Sequence, residues 1–271
     1  SNIFSGFDGL YIYTNLFPSA NISYKHSEKT SFSLLYSRRI RRPAGQDLNP
    51  VLNIIDPNTS WGGDPYLLPE YTDNVELAFS SLGGYLITTL NYAYTDNPIL
   101  WVSKVDAQSL YTISGNRNLE HSRNMGVATT ANFPITKWWN TNNYVYLYHN
   151  SITGDLGFGM TNNRSVSWMF NSTQSFKFPK GFNMEVSGNY EAPKAYALGR
   201  GSAFWQANIS LQKKILKEKG SVKITLTDMF YSMQYNGKFN YGMIEQKGGY
   251  RWDNRVLMVT LNYKFGKRLD K

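Results

Sequence analysis

The sequence predicts an all-β fold: an antiparallel up-and-down β-barrel wall that spans a membrane, with about eleven strands. Three observations support this prediction. Apolar and polar residues alternate with a period of two along most of the chain, and helical periodicity is almost absent. The connections alternate between short and long, as in barrels with short periplasmic turns and long outer loops. Aromatic residues lie at the ends of the alternating runs, where two interfacial girdles are expected.

The strands follow one another along the whole chain. The clearest alternating runs are residues 30–37, 74–80, 85–95, 182–190, 205–213, 221–230 and 256–265, and less regular strands are expected near 9–25, 111–133, 139–150 and 163–178. Short turns are expected at 27–30, 81–84, 134–138, 179–181 and 215–220, and long outer loops near 41–72, 96–112, 151–162, 191–202 and 231–249. Several strands reach the roughly 9–11 residues that a membrane-spanning β-strand needs.

The composition suits a β-sheet with a thin apolar band on one face and a polar, hydrated opposite face. The chain has 271 residues, of which 41% are hydrophobic and 15% aromatic, a formal charge of +9 and no cysteine, which excludes disulfides and thiolate metal sites. No run of 18 apolar residues predicts a transmembrane helix. Residues 1–10 have neither the basic start nor the apolar run of a signal peptide, so we expect a processed product or a fragment.

Four arginines follow the strand "TSFSLLYS" and are expected at its outer end: Arg38, Arg39, Arg41 and Arg42. In the outer membrane of a Gram-negative bacterium they would contact lipopolysaccharide phosphates, because guanidinium forks match phosphate oxygens. Alternatively they are solvated rim charges, or they pair with acids such as Asp47 and Asp56. No nucleic-acid partner is expected, because the basic residues do not interleave with exposed aromatics on one face.

Trp61, Tyr66 and Trp101 lie on predicted outer loops and either stack on a ligand, for instance a sugar, or pack their loops. The loop "DPNTSWGGDP" brings Asp56, Asn58 and Asp64 together, which allows a calcium site, although Asx turns explain the same residues. No metal or cofactor is predicted.

We expect no enzymatic activity. The three histidines, His26, His121 and His149, lie in different segments, and no nucleophile–base constellation is visible. An outer-membrane lipase would need a serine and a histidine near the outer rim, and His149 with Ser151 is the one such pair, with no orienting acid.

The closing strand ends in Tyr263 and Phe265, and a terminal aromatic resembles the assembly signal of outer membrane barrels. We expect the strand near 9–25 and the strand near 250–265 not to pair with each other. Direct pairing between them would instead indicate a complete small barrel.

Several ordered blocks resemble the TonB-dependent-receptor-like outer membrane β-barrel family of Bacteroidetes. They begin with "LFPSANISYKHSEKTSFSLLYSRRIRRPAGQDLNP" and continue with "FPITKWWN", "FKFPKGFNMEVSGNY", "LQKKILKEKGSVKITLTDMF" and "VLMVTLNYKFGK". The resemblance implies that residues 1–271 are the C-terminal part of a 22-stranded barrel, whose N-terminal strands and plug domain lie outside the sequence.

The resemblance also implies nutrient uptake driven through the TonB system. The implied partners are outer-membrane lipid and lipopolysaccharide, the remaining strands and plug, and a surface lipoprotein. A barrel that serves as an envelope scaffold without transport is the alternative.

Overall fold

The computed structural model describes residues 15–106, 108–109, 111–240 and 245–265. Nineteen strands lie in this part: β1 (Ser19–Ser27), β2 (Thr30–Arg41), β3 (Asn53–Asp56), β4 (Thr59–Trp61), β5 (Glu70–Ser81), β6 (Leu86–Asp96), β7 (Ile99–Val105), β8 (Thr112–Asn118), β9 (His121–Pro134), β10 (Trp139–Asp155), β11 (Met160–Phe178), β12 (Phe182–Glu191), β13 (Lys194–Tyr196), β14 (Gly199–Gly201), β15 (Phe204–Ile215), β16 (Gly220–Leu226), β17 (Gln234–Asn240), β18 (Glu245–Arg251) and β19 (Leu257–Tyr263). The one α-helix among the described residues is α1 (Gly45–Leu48), and no described helix is long and apolar enough to cross a membrane.

Eleven strands form one antiparallel sheet, the wall, in the order β1-β2-β5-β6-β9-β10-β11-β12-β15-β16-β19. Each wall strand pairs with the next wall strand along the chain, so the predicted up-and-down order and the count of about eleven are confirmed. β1 and β19 lie at opposite ends of the wall and do not pair with each other. The expected strand near 9–25 is confirmed only from Ser19 onward, as β1. Residues 15–18 are not in a strand, and residues 1–14 lie outside the described part.

One face of the wall is apolar and exposed. Paired positions share a face, and the register joins one apolar row across seven strands: Ile22, Leu34, Leu77, Leu90, Val127, Leu147 and Trp168. These side chains are between 40% and 68% exposed. Such a broad apolar surface is unusual for a water-soluble protein and is expected where lipid covers it.

The opposite face of the wall is polar. It carries asparagine, serine, threonine and a cluster of tyrosines on β10, of which Tyr146 donates a hydrogen bond to Asn124. The stacked rings of Tyr146 and Tyr148 lie beside Gly126, where a Cβ would come within 2.6 Å of the Tyr146 ring and of the Leu147 carbonyl oxygen. Glycine is therefore required at this position for the tyrosines to fit.

The long connections form two further sheets instead of irregular loops. The first loop sheet has the order β3-β4-β8-β7, and the second has the order β13-β14-β17-β18. The expected strand near 111–133 is therefore wrong as one element: β8 belongs to the first loop sheet and β9 to the wall. The long loop expected at 151–162 is also wrong, because β10 and β11 remain paired up to Asp155 and Met160.

The hydrophobic core lies at the outer end and not within the wall. It contains Val102, Leu119, Ile152, Leu156, Ala197 and Leu198. Ile152 lies on the polar-face register of β10, and it packs in this core with Val102 of the first loop sheet and with Ala197 and Leu198 of the second. Both loop sheets therefore cover the polar side of the extended β10–β11 hairpin. Gly154 permits this packing, since a Cβ there would lie 2.6 Å from the Glu120 nitrogen and 2.7 Å from the Leu119 Cβ.

Candidate ligand-binding surface of the outer loops

The second loop sheet carries three cationic side chains directly opposite one another. Arg200 on β14 pairs with Lys238 on β17, which pairs with Lys247 on β18. Like charges placed directly opposite on one sheet face repel and are destabilising. Anionic groups, from this chain or from a ligand, are needed to offset this repulsion.

The cation row borders an open cavity of about 550 Å³. The same face of the sheet contributes Ser202, Asn236 and Gly249, and the backbone of a row of three paired glycines, Gly201, Gly237 and Gly248, completes the lining. The floor is therefore made of small and polar groups, while the charged side chains stand beside it.

One carboxylate partly compensates the row. Glu245 lies 2.7 Å from the Lys238 ammonium and 3.9 Å from that of Lys247. The hydrogen bond from Lys238, reinforced by the charges of both lysines, lowers the pKa of Glu245 below its ordinary value. Three cations beside one anion leave the surface positively charged.

The other face of this sheet is aromatic and packs inward. Tyr196 and Tyr235 meet edge to face at 6.3 Å, and Phe239 packs against the hydrophobic core. Burial, with the neighbouring tyrosines, raises the pKa of Tyr235 well above its ordinary value. The aromatic face thus attaches the sheet to the core, and the cation row lies on the opposite face. Of this row, Arg200 also donates to the Arg164 carbonyl oxygen of β11 at 3.3 Å.

Two of the three predicted ligand-stacking aromatics come together. The rings of Trp61 on β4 and Trp101 on β7 are 6.5 Å apart, and Trp101 is 52% exposed. Tyr66 lines a different cavity of about 260 Å³, together with Gly115 and Asn116 of β8 and other residues. The two tryptophans pack against each other on one face of the first loop sheet and so connect β4 to β7. The Trp101 indole remains exposed to solvent.

The four rim arginines have two different environments. Arg38 lies 3.5 Å from Asp73, and Arg41 lies 3.2 Å from Glu70. The expected partners Asp47 and Asp56 are wrong, because β2 pairs with β5 and brings its acids opposite the arginines. Among the described residues, Arg39 and Arg42 make no ion pair.

The acidic loop residues form turns. Asp56 accepts a hydrogen bond from the Asn58 backbone N–H at 2.8 Å, and Asp64 accepts one from the Tyr66 N–H at 2.9 Å. Both are Asx turns, as the turn interpretation predicts. In the described part of the chain, no group of three or more acidic or histidine side chains is placed to hold a metal ion.

His149 and Ser151 do not form a catalytic pair. Nδ1 of His149 is buried and has no hydrogen-bond partner among the described residues, and Ser151 is 8% exposed. No described hydrogen bond joins the two side chains.

The aromatics of the closing strand are solvent-exposed. Phe265 is 89% exposed, and its ring lies 4.7 Å from that of Tyr263 at an interplanar angle of 78°.

The sequence interpretation missed Arg200, Lys238 and Lys247, which lie in segments expected to be loops. Their only sequence signal is a cation beside glycine in each of "GRG", "GKF" and "QKGG". The register between β14, β17 and β18 was needed to align them.

The sequence matches the model of a family described as "Outer membrane protein beta-barrel family" over residues 10–263. No curated protein matches the sequence.

Solved structures of outer-membrane receptors share the fold. The siderophore receptor PirA from Pseudomonas aeruginosa is 16% identical, with a TM-score of 0.58 over 80% of this chain and 39% of the receptor. The ferric-catecholate import receptor Fiu from E. coli K12 is 13% identical, with a TM-score of 0.58 over 91% and 34%. The FrpB iron transporter from Neisseria meningitidis is 13% identical, with a TM-score of 0.58 over 93% and 39%. The chain therefore spans less than half the length of these structures.

Proposed function

This chain belongs to the outer membrane protein beta-barrel family, and we propose that it forms part of a receptor that takes up a nutrient across the outer membrane. The observation that carries the proposal is the position of the loop sheets: both cover the polar side of the wall at its outer end, and one of them presents an open, positively charged cavity. The structural relatives are named as siderophore receptors or iron transporters.

We also propose that the wall is one portion of a larger barrel. The outer edges of β1 and β19 are unpaired in the described structure. Unpaired backbone N–H and C=O groups cost several kcal/mol each in hydrocarbon, so these edges need partner strands. Further strands of the same barrel would supply them, and a plug and a TonB-contact segment in the remaining length would gate and drive uptake.

Two surfaces serve assembly and anchoring in this proposal. Arg38 lies on the apolar-face register at the outer end of β2, where it would contact lipopolysaccharide phosphates. Arg39, Arg41 and Arg42 would add to the positive charge of this rim, although Arg39 and Arg41 lie on the polar-face register. Tyr263 and Phe265 would serve as the assembly signal. Replacing both aromatics with alanine is expected to lower the folded fraction in the outer membrane, measured by heat-modifiable mobility, whereas Lys264→Ala is the matched control.

The experiment for the receptor function uses the full-length protein in cells. Uptake of iron-55 bound to a panel of siderophores is compared between the wild type and a gene deletion, with and without an uncoupler of the proton-motive force. We expect at least one siderophore whose energy-dependent uptake requires the gene. Unchanged uptake of every panel member, together with a leaky envelope in the deletion strain, would favour a scaffold.

A further inference from the structure

We propose that Arg200, Lys238 and Lys247 form a binding site for a small molecule that carries two or three carboxylate or phosphate groups. The biological setting of this site, but not its chemistry, rests on the receptor function proposed above. The site lies on the exposed face of the second loop sheet and includes the floor made by Ser202, Asn236 and Gly249.

The spacing of the cations selects a multivalent anion. Adjacent strands lie roughly 4.8 Å apart, so the cation row extends about 10 Å across three strands. A single small anion reaches one or two of these side chains, whereas a molecule with separated anionic groups reaches all three. One terminal nitrogen of Arg200 donates to the Arg164 carbonyl oxygen at 3.3 Å, and the other guanidinium donors remain for one anionic group. Each lysine offers a mobile point charge.

The floor of the cavity is shaped for close approach. A Cβ at Gly249 would lie 2.2 Å from the Asn236 side-chain oxygen, so only glycine leaves this asparagine in place. Ser202 accepts a hydrogen bond from the Asn236 backbone N–H at 3.1 Å, which fixes the two polar residues together. The volume of about 550 Å³ lies within the roughly 300–1,000 Å³ of small-molecule sites.

The position of the sheet favours a ligand from solution over a lipid headgroup. β13 is held on the polar-face register of β11: the Ala195 N–H donates to Ser165 Oγ at 3.0 Å, and the Asn163 side chain donates to the Tyr196 carbonyl at 2.8 Å. The second loop sheet therefore extends over the polar side of the wall, away from the apolar face that lipid covers. Its cation row faces away from its aromatic, inward-packed side.

The test is calorimetric titration of the full-length protein in detergent with inorganic tripolyphosphate, at low and at physiological salt. The wild type is compared with Lys247→Gln, with Lys238→Gln/Lys247→Gln and with Lys104→Gln. Lys104 is an exposed cation on the first loop sheet and provides the matched control. Glu245→Gln removes the carboxylate that competes for the row.

We expect Lys247→Gln to weaken tripolyphosphate binding about tenfold, which corresponds to one charge-assisted hydrogen bond at a solvent-exposed site. The double variant should weaken it further, Lys104→Gln should bind like the wild type, and Glu245→Gln should bind more tightly. Binding should weaken as salt screens the charges.

Equal affinity in the wild type, the double variant and the Lys104→Gln control would overturn the site, as would absence of tripolyphosphate binding by the wild type. A parallel titration with lipopolysaccharide vesicles separates the two phosphate sources: binding of vesicles but not of tripolyphosphate, lost in the double variant, contradicts a soluble ligand. If tripolyphosphate binding requires the cation row but the protein takes up no tested siderophore, only the receptor function is refuted. Uptake that persists in the double variant refutes only the site.

Discussion

Replacing Glu70 with alanine is expected to favour local opening of β7, the edge strand of the first loop sheet, at the rim of the wall. The Glu70 carboxylate accepts the Ile99 backbone N–H at 2.8 Å and pairs with Arg41 at 3.2 Å. Arg41 also donates to the Ile99 carbonyl oxygen at 3.4 Å. The two side chains therefore hold both backbone groups of the first residue of β7, and Ile99 itself is only 2% exposed.

The magnitude follows from these contacts. A hydrogen bond to a charged group contributes about 1.5–3 kcal/mol, and its removal leaves a buried N–H without an acceptor. The ion pair adds little, because Arg41 is 54% exposed and surface pairs contribute about 0–1 kcal/mol. We therefore expect Glu70→Ala to favour local opening of β7 by about 2–3 kcal/mol, or roughly 30- to 150-fold.

The assay is amide hydrogen exchange of residues 99–105 in the detergent-solubilised protein. Glu218→Ala is the control, because Glu218 forms an exposed ion pair with Lys214 at 3.2 Å and accepts no backbone bond among the described contacts. Exchange of the β7 amides should accelerate in Glu70→Ala and stay unchanged in Glu218→Ala. Equal exchange rates in the two variants would refute the anchoring role of Glu70.

Three further predictions concern the wall and the loops. Leu90→Arg places a cation on the lipid face and should cost about 2–4 kcal/mol of folding free energy in vesicles, whereas Thr89→Arg on the polar face should fold nearly as the wild type. If urea titrations gave the reverse order of stability, the assignment of the two faces would be wrong. Gly126→Ala should lower stability by about 1–3 kcal/mol through overpacking against the tyrosines, and Gly248→Ala, where a Cβ meets nothing within 4 Å, should be nearly neutral in the same titration. Because the pKa of Glu245 is lowered in the folded protein, its ion pair stabilises the fold above the ordinary pKa of 4.5 and is lost only as pH falls through the lower folded value. An NMR titration of the Glu245 carboxyl should show the lowered pKa, and replacing Lys238 should raise it.

The wall was predictable because its residues obey a simple rule. A period of two marks which residues share a face, and a run such as Leu257, Val259 and Leu261 carries that signal without any tertiary information. The turns at 81–84 and 179–181 combine glycine or proline with short length, and the structure has short 3₁₀ turns at Leu82–Gly84 and Pro179–Gly181.

The loop sheets were not predictable in the same way. β4, β13 and β14 have only three residues each, too few to show periodicity. β4 pairs in parallel with β8 across about fifty residues of chain, and such pairing is decided by packing and not by local sequence.

The partners of the rim arginines show how register limits sequence interpretation. Asp47 and Asp56 are near the arginines in sequence, whereas Asp73 and Glu70 lie opposite them in the sheet. The alignment of Arg200 with Lys238 and Lys247 depends on register in the same way.

The most direct test labels single cysteines in the wall. Residues 1–271 contain no cysteine of their own, and any cysteine elsewhere in the full-length protein is replaced by serine. Single cysteines at each position from 205 to 211 on β15 are spin-labelled in the protein reconstituted in lipid, and the accessibility of each label to oxygen and to a polar nickel complex is measured. We expect a period of two: oxygen access at the odd positions, which include Ile209 and Leu211, and nickel access at the even positions, which include Asn208 and Ser210. Reversed access, or the absence of a period of two, would contradict a wall whose apolar face lies against lipid and whose polar face lines a lumen.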